Sequence, residues 1–189
     1  MKIAVMIRKL NVSGGAQRIV LNVMSRIKDR GHEVTLYTFF LDREKCFPEL
    51  LKPFTIIEFP VNRRRKTSGL LGFVREDALA RDFAYLINRN TEVLFSDDGP
   101  AHHVAYHYKR RVRNIPSVWN MNELPTMRWP LKLLSIAENR AFHDIPWRPR
   151  WLKKTAILLK TWYERRFAKA QDAIIVFDQF HQMMLRRYT

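Results

Sequence analysis

The sequence predicts a doubly wound α/β fold, a single Rossmann-like, mainly parallel sheet with helices on both faces, and three observations predict it. The first strand-like run, residues 3–7, is apolar and β-branched without polar alternation, as a strand reads when both sheet faces are covered. Segments of helical period separate the strand-like runs. A strand, a helix and a second strand also follow one another within the first 40 residues, a βαβ unit whose crossover should be right-handed.

The elements follow in chain order. Residues 3–7, "IAVMI", are apolar throughout and read as a doubly buried strand. From Ala16 to Arg30 the period changes: Ile19, Val20, Val23, Met24 and Ile27 form a helical stripe, with Arg18, Arg26 and Lys28 elsewhere on the helix. Ser13 is placed to cap that helix, and Gly31 supplies the left-handed residue that ends it. "HEVTLYTF" resumes as a strand. Later strands are "FTIIEF" (54–59), "EVLFS" (92–96), "PSVWNM" (116–121) and "DAIIVF" (172–177), with helical patterns near 70–89, 100–113 and 151–170. "PVNRRRKTSG" (60–69) and "HDIPWRPRW" (143–151) read as loops.

Composition bounds the function. A chain of 189 residues suits one domain with a substantial core, and a 47% hydrophobic, 28% charged make-up argues against wholesale disorder. The single Cys46 excludes an internal disulfide and favours a reducing compartment. No leader pattern opens the chain, and no apolar run approaches the ~20 residues that cross a bilayer. The expected location is the cytoplasm, with any membrane met from its surface. A net charge of +16 favours an anionic partner: nucleic acid, anionic lipid or a phosphorylated substrate.

In an open α/β sheet, ligands sit beyond the carboxyl ends of the strands. That rule nominates "RKLNVSGGAQ", "SDDGP" (96–100), "NMNELP" (120–125) and "DQFHQ" (178–182) as the lining of one crevice. The first contains Gly14 and Gly15 but neither G-x-G-x-x-G nor a G-K-[ST] ending, so it is neither a dinucleotide fingerprint nor a Walker loop. Two glycines before a helix either let backbone amides approach a phosphate or simply make a tight turn.

Three segments, in order, resemble the family 4 glycosyltransferases, retaining enzymes with the two-domain GT-B fold. "GGAQRIVLNVMSRIKDRGHEVTLYT" is similar to the family's opening loop, helix and second strand. "IPSVWNMNELP" resembles its mid-domain strand and loop, and "WYERRFAKAQDAIIVFDQFHQMMLRRY" (162–188) its Glu-Arg helix followed by a strand and another helix. The resemblance implies an amino-terminal, acceptor-binding domain over residues 1–189. The donor-binding domain would lie in cis or on a separate chain, and the isolated domain would transfer no sugar. It also implies a nucleotide-sugar co-substrate, held mostly by that other domain, and no cofactor.

On that resemblance, Gly14 and Gly15 face the donor phosphates. Asn122 stands where many members carry a His near the reacting sugar; an amide transfers no proton at neutral pH but binds hydroxyls well. Glu123 follows and either binds acceptor hydroxyls, acts as a base or, as a loop glutamate, is merely solvated. Asp97 and Asp98 end a strand at the crevice and either bind acceptor hydroxyls or a metal, or serve ordinary turn chemistry, the preferred reading. His102, His103 and His107 lack the H-E-x-x-H pattern and read as helix-surface residues, so no metal is expected. Asp178 replaces the family's Ser and can cap the helix that follows.

The positive charge has a location too. Between 151 and 170, Leu152, Ala156, Leu159, Tyr163 and Phe167 form a stripe suited to the sheet, while Trp151, Leu158 and Trp162 interleave with Lys154, Arg165 and Lys169. Rings among cations suit an anionic membrane surface. Arg63, Arg64, Arg65 and Lys66 form a second basic cluster for phosphates of lipid or acceptor. A lipid-linked or glycan acceptor at the membrane would unite these features. The alternatives are a membrane-anchoring, non-catalytic subunit of a split enzyme and a basic nucleic-acid-binding module, although no recognised RNA or DNA motif is present.

Overall fold

A computed structural model describes residues 1–60, 72–97, 99–122, 159, 162–177, 179, 182, 185 and 186. In chain order it contains β1 (Lys2–Leu10), α1 (Gly15–Asp29), β2 (Glu33–Leu41), α2 (Pro48–Leu51), β3 (Thr55–Glu58), α3 (Gly72–Ala84), β4 (Val93–Asp97), α4 (Ala101–Arg111), β5 (Ser117–Met121), α5 (162–169) and β6 (Ala173–Val176). The six strands form one sheet in the order β3-β2-β1-β4-β5-β6, parallel at every pairing. The predicted α/β sheet is therefore the observed one.

Side-chain alternation along β1 divides the core in two. Ile3, Val5 and Ile7 pack with Val20, Leu21 and Met24 of α1 and Leu51 of α2. Ala4 and Met6 pack on the opposite face with Ala80 and Phe83 of α3 and Val104, Ala105 and Tyr108 of α4. Each large aliphatic or aromatic side chain fully buried in this way contributes ~2 kcal/mol, so both layers are needed to hold the central strand. A third cluster, Trp119, Met121 and Ala168 with Ile174 and Val176 against it, joins β5, α5 and β6.

The apolar stripe of α1 differs from its sequence expectation. Ile19 and Val23 are 51% and 42% exposed, while Leu21 is fully buried. Five apolar residues at 19, 20, 23, 24 and 27 span a wider arc than the sheet covers, and the helix is rotated to bury 20, 21 and 24. Ser13 is not the cap: Gly14 is, with no side-chain hydrogen bond. The Ser13 hydroxyl instead donates to the Lys45 carbonyl at 2.7 Å and accepts from the Phe47 amide at 3.4 Å, tying the glycine loop to the turn before α2. Gly31 does terminate the α1 segment, with φ +84° and its amide on the Lys28 carbonyl at 2.9 Å. Helix α2, four residues long, is too short to leave a periodic signal and was not expected.

Most of the two predicted loops and the amino-terminal part of the 151–170 pattern lie outside the described residues, as do Arg63, Arg64, Arg65, Lys66, Asp98, Glu123, Trp151, Leu152, Lys154, Ala156, Leu158 and Asp178. Among the described residues no helix is long and apolar enough to cross a membrane.

Candidate functional site

The strand order reverses its direction of growth between β1 and β4, since β1 leads to β2 on one side and β4 to β5 on the other. A crevice opens at the carboxyl ends of strands at such a point. Asp97 stands there, the last residue of β4, paired in register with Ile7 of β1 and Asn120 of β5. Alternation along β4 puts Asp97 on the α1 side of the sheet, because Phe95 packs in the α1 layer and Leu94 in the other. Asp97 is only 2% exposed and belongs to the strand, which corrects its reading as turn chemistry.

Two amides satisfy that buried carboxylate. Asn120 Nδ2 donates to Asp97 Oδ1 at 2.8 Å, and Asn122 Nδ2 donates to the same oxygen at 3.1 Å. Asn120 Nδ2 also donates to Asn122 Oδ1 at 3.2 Å, closing a three-residue ring. Of the residues nominated from sequence, the fold brings Asp97 and Asn122 together. Asn120 lies in the nominated segment 120–125 but was not singled out; a polar residue two positions before Asn122, and so on the same face of the strand, was its signal.

The glycine loop leaves β1 at this same end of the sheet. A Cβ added at Gly15 would meet nothing within 4 Å, so packing does not demand glycine there; at Gly14 the nearest atoms it would meet belong to the flexible Gln17 side chain. The first turn of α1 carries neither a capping side chain nor an acidic residue. Its amides thus retain the partial positive charge of an open helix start.

The histidines lie elsewhere and are not on the surface. His102, His103 and His107 are 1%, 2% and 6% exposed, held between α4 and its neighbours. His102 stacks on Trp119 at 4.1 Å and His103 on Phe167 at 3.7 Å between ring centroids. Their Nε2 atoms meet Glu164 Oε2 at 3.2 and 2.8 Å. A carboxylate only accepts, so both Nε2 atoms carry the proton in the neutral rings. Burial pushes His103 down to about 4 despite the neighbouring carboxylate, which keeps the ring neutral at physiological pH. Burial alone would raise Glu164, but the two histidines outweigh it and hold the carboxyl below its usual range.

His102, His103 and Glu164 offer three ligand atoms within 4.8 Å of one another, the composition of a metal site. The orphaned atoms decide against that use. Among the described residues neither His102 Nδ1 nor His103 Nδ1 has a partner. Metal on Nε2 would move each proton to Nδ1, stranding two buried donors, whereas a bare Nδ1 strands only a lone pair. The cluster fits a polar clasp that fixes α5 to α4.

A second clasp lies beside it. Asp77 of α3 accepts from His107 Nε2 at 2.6 Å, from the Tyr163 hydroxyl at 2.5 Å and from Arg166 Nη2 at 3.1 Å. Burial opposes the Asp77 charge, and the hydrogen bonds from His107 and Tyr163 still leave its carboxyl below the ordinary value. Burial, with Asp77 added to it, pushes the Tyr163 hydroxyl well up.

The outer face of α5 presents Trp162, 72% exposed, with Arg165 and Lys169 also exposed. Leu159, assigned to the sheet-facing stripe by period, is instead 59% exposed; Phe167 of that stripe is buried. Asp172 ties the far edge together, accepting from the Ser117 amide and from Lys109 Nζ, both at 2.7 Å.

Comparison with known proteins adds three findings. Residues 13–189 match the family model described as Glycosyltransferase Family 4. Alpha-1,3/1,6-mannosyltransferase ALG2 of Eremothecium gossypii is 36% identical over 80 residues, which cover 40% of this chain and 15% of that protein. A solved chain, described as lipopolysaccharide outer core galactosyltransferase WaaB in its apo form, is similar at a TM-score of 0.49 and 16% identity, over 63% of this chain and 32% of that one. The chain thus spans a minor part of the length of each relative.

Proposed function

Because the chain belongs to glycosyltransferase family 4, we propose that it is the acceptor-binding half of an enzyme that moves a sugar from a nucleotide-sugar donor to a lipid-linked or glycan acceptor. The observation that carries this reading is the Asp97, Asn120 and Asn122 ring at the β1/β4 switch point. A fixed carboxylate with amide neighbours is the equipment that recognises hydroxyl groups, and it lies at the strand ends where such folds bind ligands.

In this reading the amides opening α1, uncrowded at Gly15, face the phosphates of a donor carried by a second domain in cis or on a separate chain. Asn122 binds an acceptor hydroxyl and performs no proton transfer. Asp98 and Glu123 adjoin the same crevice in sequence, and Glu123 is the candidate base. The domain needs no cofactor of its own.

The acceptor is reached at an anionic membrane surface. Trp162 and Leu159 project from the face that carries Arg165 and Lys169, which supports insertion of rings and aliphatic chains at headgroup depth while cations meet lipid phosphates. Trp151, Lys154 and the cluster Arg63, Arg64, Arg65 and Lys66 extend that surface in sequence. The protein then works from the cytoplasmic side as a peripheral protein.

The test uses the full-length gene product with nucleotide-activated mannose or galactose, radiolabelled in the sugar, and a lipid extract. Label passing into the organic phase is expected. Label that stays in the donor, or passes only to water, contradicts transfer to a lipid-linked acceptor. A gel shift with heterogeneous RNA that persists at moderate salt would instead favour a nucleic-acid partner.

A further inference from the structure

We propose that Asn120 sets the polarity of the crevice by locking Asn122 as a hydrogen-bond donor, so that the site takes an acceptor hydroxyl through its oxygen. The inference rests on the acceptor reading above and goes beyond it, since Asn120 is 7% exposed and acts through Asn122 as a positioning residue.

The argument is a count of bonds. A primary amide offers two N–H donors on one side and one carbonyl oxygen on the other. Asn120 spends its Nδ2 on Asp97 Oδ1 at 2.8 Å and on Asn122 Oδ1 at 3.2 Å. That commits the Asn122 oxygen, and the Asn122 nitrogen then faces Asp97 Oδ1 at 3.1 Å. The opposite orientation of Asn122 would set its oxygen against a carboxylate and its N–H groups against those of Asn120. Two attractive contacts would become two repulsive ones, so the amide orientation follows from its neighbours.

One N–H of Asn122 therefore goes to Asp97, and the second has no acceptor among the described residues. Asn122 is partly exposed and supplies that donor to the crevice. The partner must bring a lone pair. A sugar hydroxyl brings one on its oxygen.

The experiment follows the Asn122 side-chain amide signals of the uniformly 15N-labelled chain, with methyl α-D-mannopyranoside as the probe. Two results are expected: the glycoside shifts the Asn122 pair, and Asn120→Ala weakens glycoside binding about fivefold or more. Glycoside affinity within twofold of wild type in Asn120→Ala overturns the proposal. Should Asn120→Ala fail to fold, the wild-type chain decides. Its two Asn122 side-chain protons must exchange at different rates, one slowed by Asp97; equal rates overturn the proposal. A wild-type chain that ignores the glycoside but keeps unequal exchange rates overturns the acceptor reading while supporting the lock.

Discussion

Trp119 and Asn120 are neighbours on β5, and they belong to two different polar clusters. Trp119 points to the α4 side, where His102, His103 and Glu164 make a closed clasp with every member buried. Asn120 points to the α1 side, where the Asp97 ring ends in the partly exposed Asn122. Both clusters centre on one carboxylate, yet the first spends its donors inward and the second leaves one N–H of Asn122 without an acceptor among the described residues. Burial separates the two clusters where residue type misleads. By type alone, two histidines and a glutamate look more catalytic than two asparagines and an aspartate.

The contrast can be broken experimentally, beginning with the clasp. Glu164→Ala leaves two buried ring donors with no acceptor and is expected to cost about 3 kcal/mol in urea denaturation. A loss under about 1 kcal/mol would mean the clasp does not hold α5.

Acid should act through the same residues. The native His103 value of about 4 lies below the ordinary 6.5, so the unfolded chain takes up a proton that the native ring refuses. Stability is full above 6.5 and falls as the pH drops from there to about 4, by about 3 kcal/mol. Glu164, whose native value is depressed, adds stability present above its ordinary 4.5 and lost at lower pH. His103→Phe keeps the stacking on Phe167 and should flatten the slope between pH 6.5 and 4. An unchanged slope would assign the acid sensitivity to other groups.

The crevice should respond differently. Asp97→Ala removes the acceptor of two amides and should cost about 2 kcal/mol of stability while abolishing glycoside-induced shifts at Asn122. Glycoside binding that survives Asp97→Ala would detach the ring from recognition.

The smallest expected effect on folding is at the outer face of α5. Trp162→Ala combined with Lys169→Glu should leave the unfolding free energy from urea denaturation within about 0.5 kcal/mol of wild type. Co-sedimentation with vesicles of phosphatidylcholine and phosphatidylglycerol should fall about tenfold at low salt. Undiminished sedimentation would place the lipid contact elsewhere.

The sheet was legible because a doubly buried parallel strand has to be apolar along its length, and β1 shows that in five consecutive residues. The end of α1 was equally plain, since only a residue tolerant of φ +84° suits position 31. The glycine cap was not. Ser13 is the better capping residue by type, but its hydroxyl is engaged by Lys45 and Phe47, some 30 residues away in sequence. The histidines were misplaced for the same reason. Their burial depends on Glu164, separated from them by more than 60 residues, and helical period places a residue on a face without saying what covers it. Strand-end position nominated the segments that hold Asp97, Asn120 and Asn122, although Asp97 was preferred as turn chemistry. That Asn120 meets Asp97 emerged only once β4 and β5 were in register.

The central claim is that a sugar acceptor enters at the α1 side of the carboxyl edge, between the glycine loop and the Asp97 ring. Backbone amide shifts of the 15N-labelled wild-type chain during titration with methyl α-D-mannopyranoside test it most directly. The account predicts perturbations concentrated at Gly14, Gly15, Asp97, Asn120 and Asn122, with His102, His103 and Glu164 unmoved. Perturbations centred on the histidine clasp, or none at saturating glycoside, would contradict it.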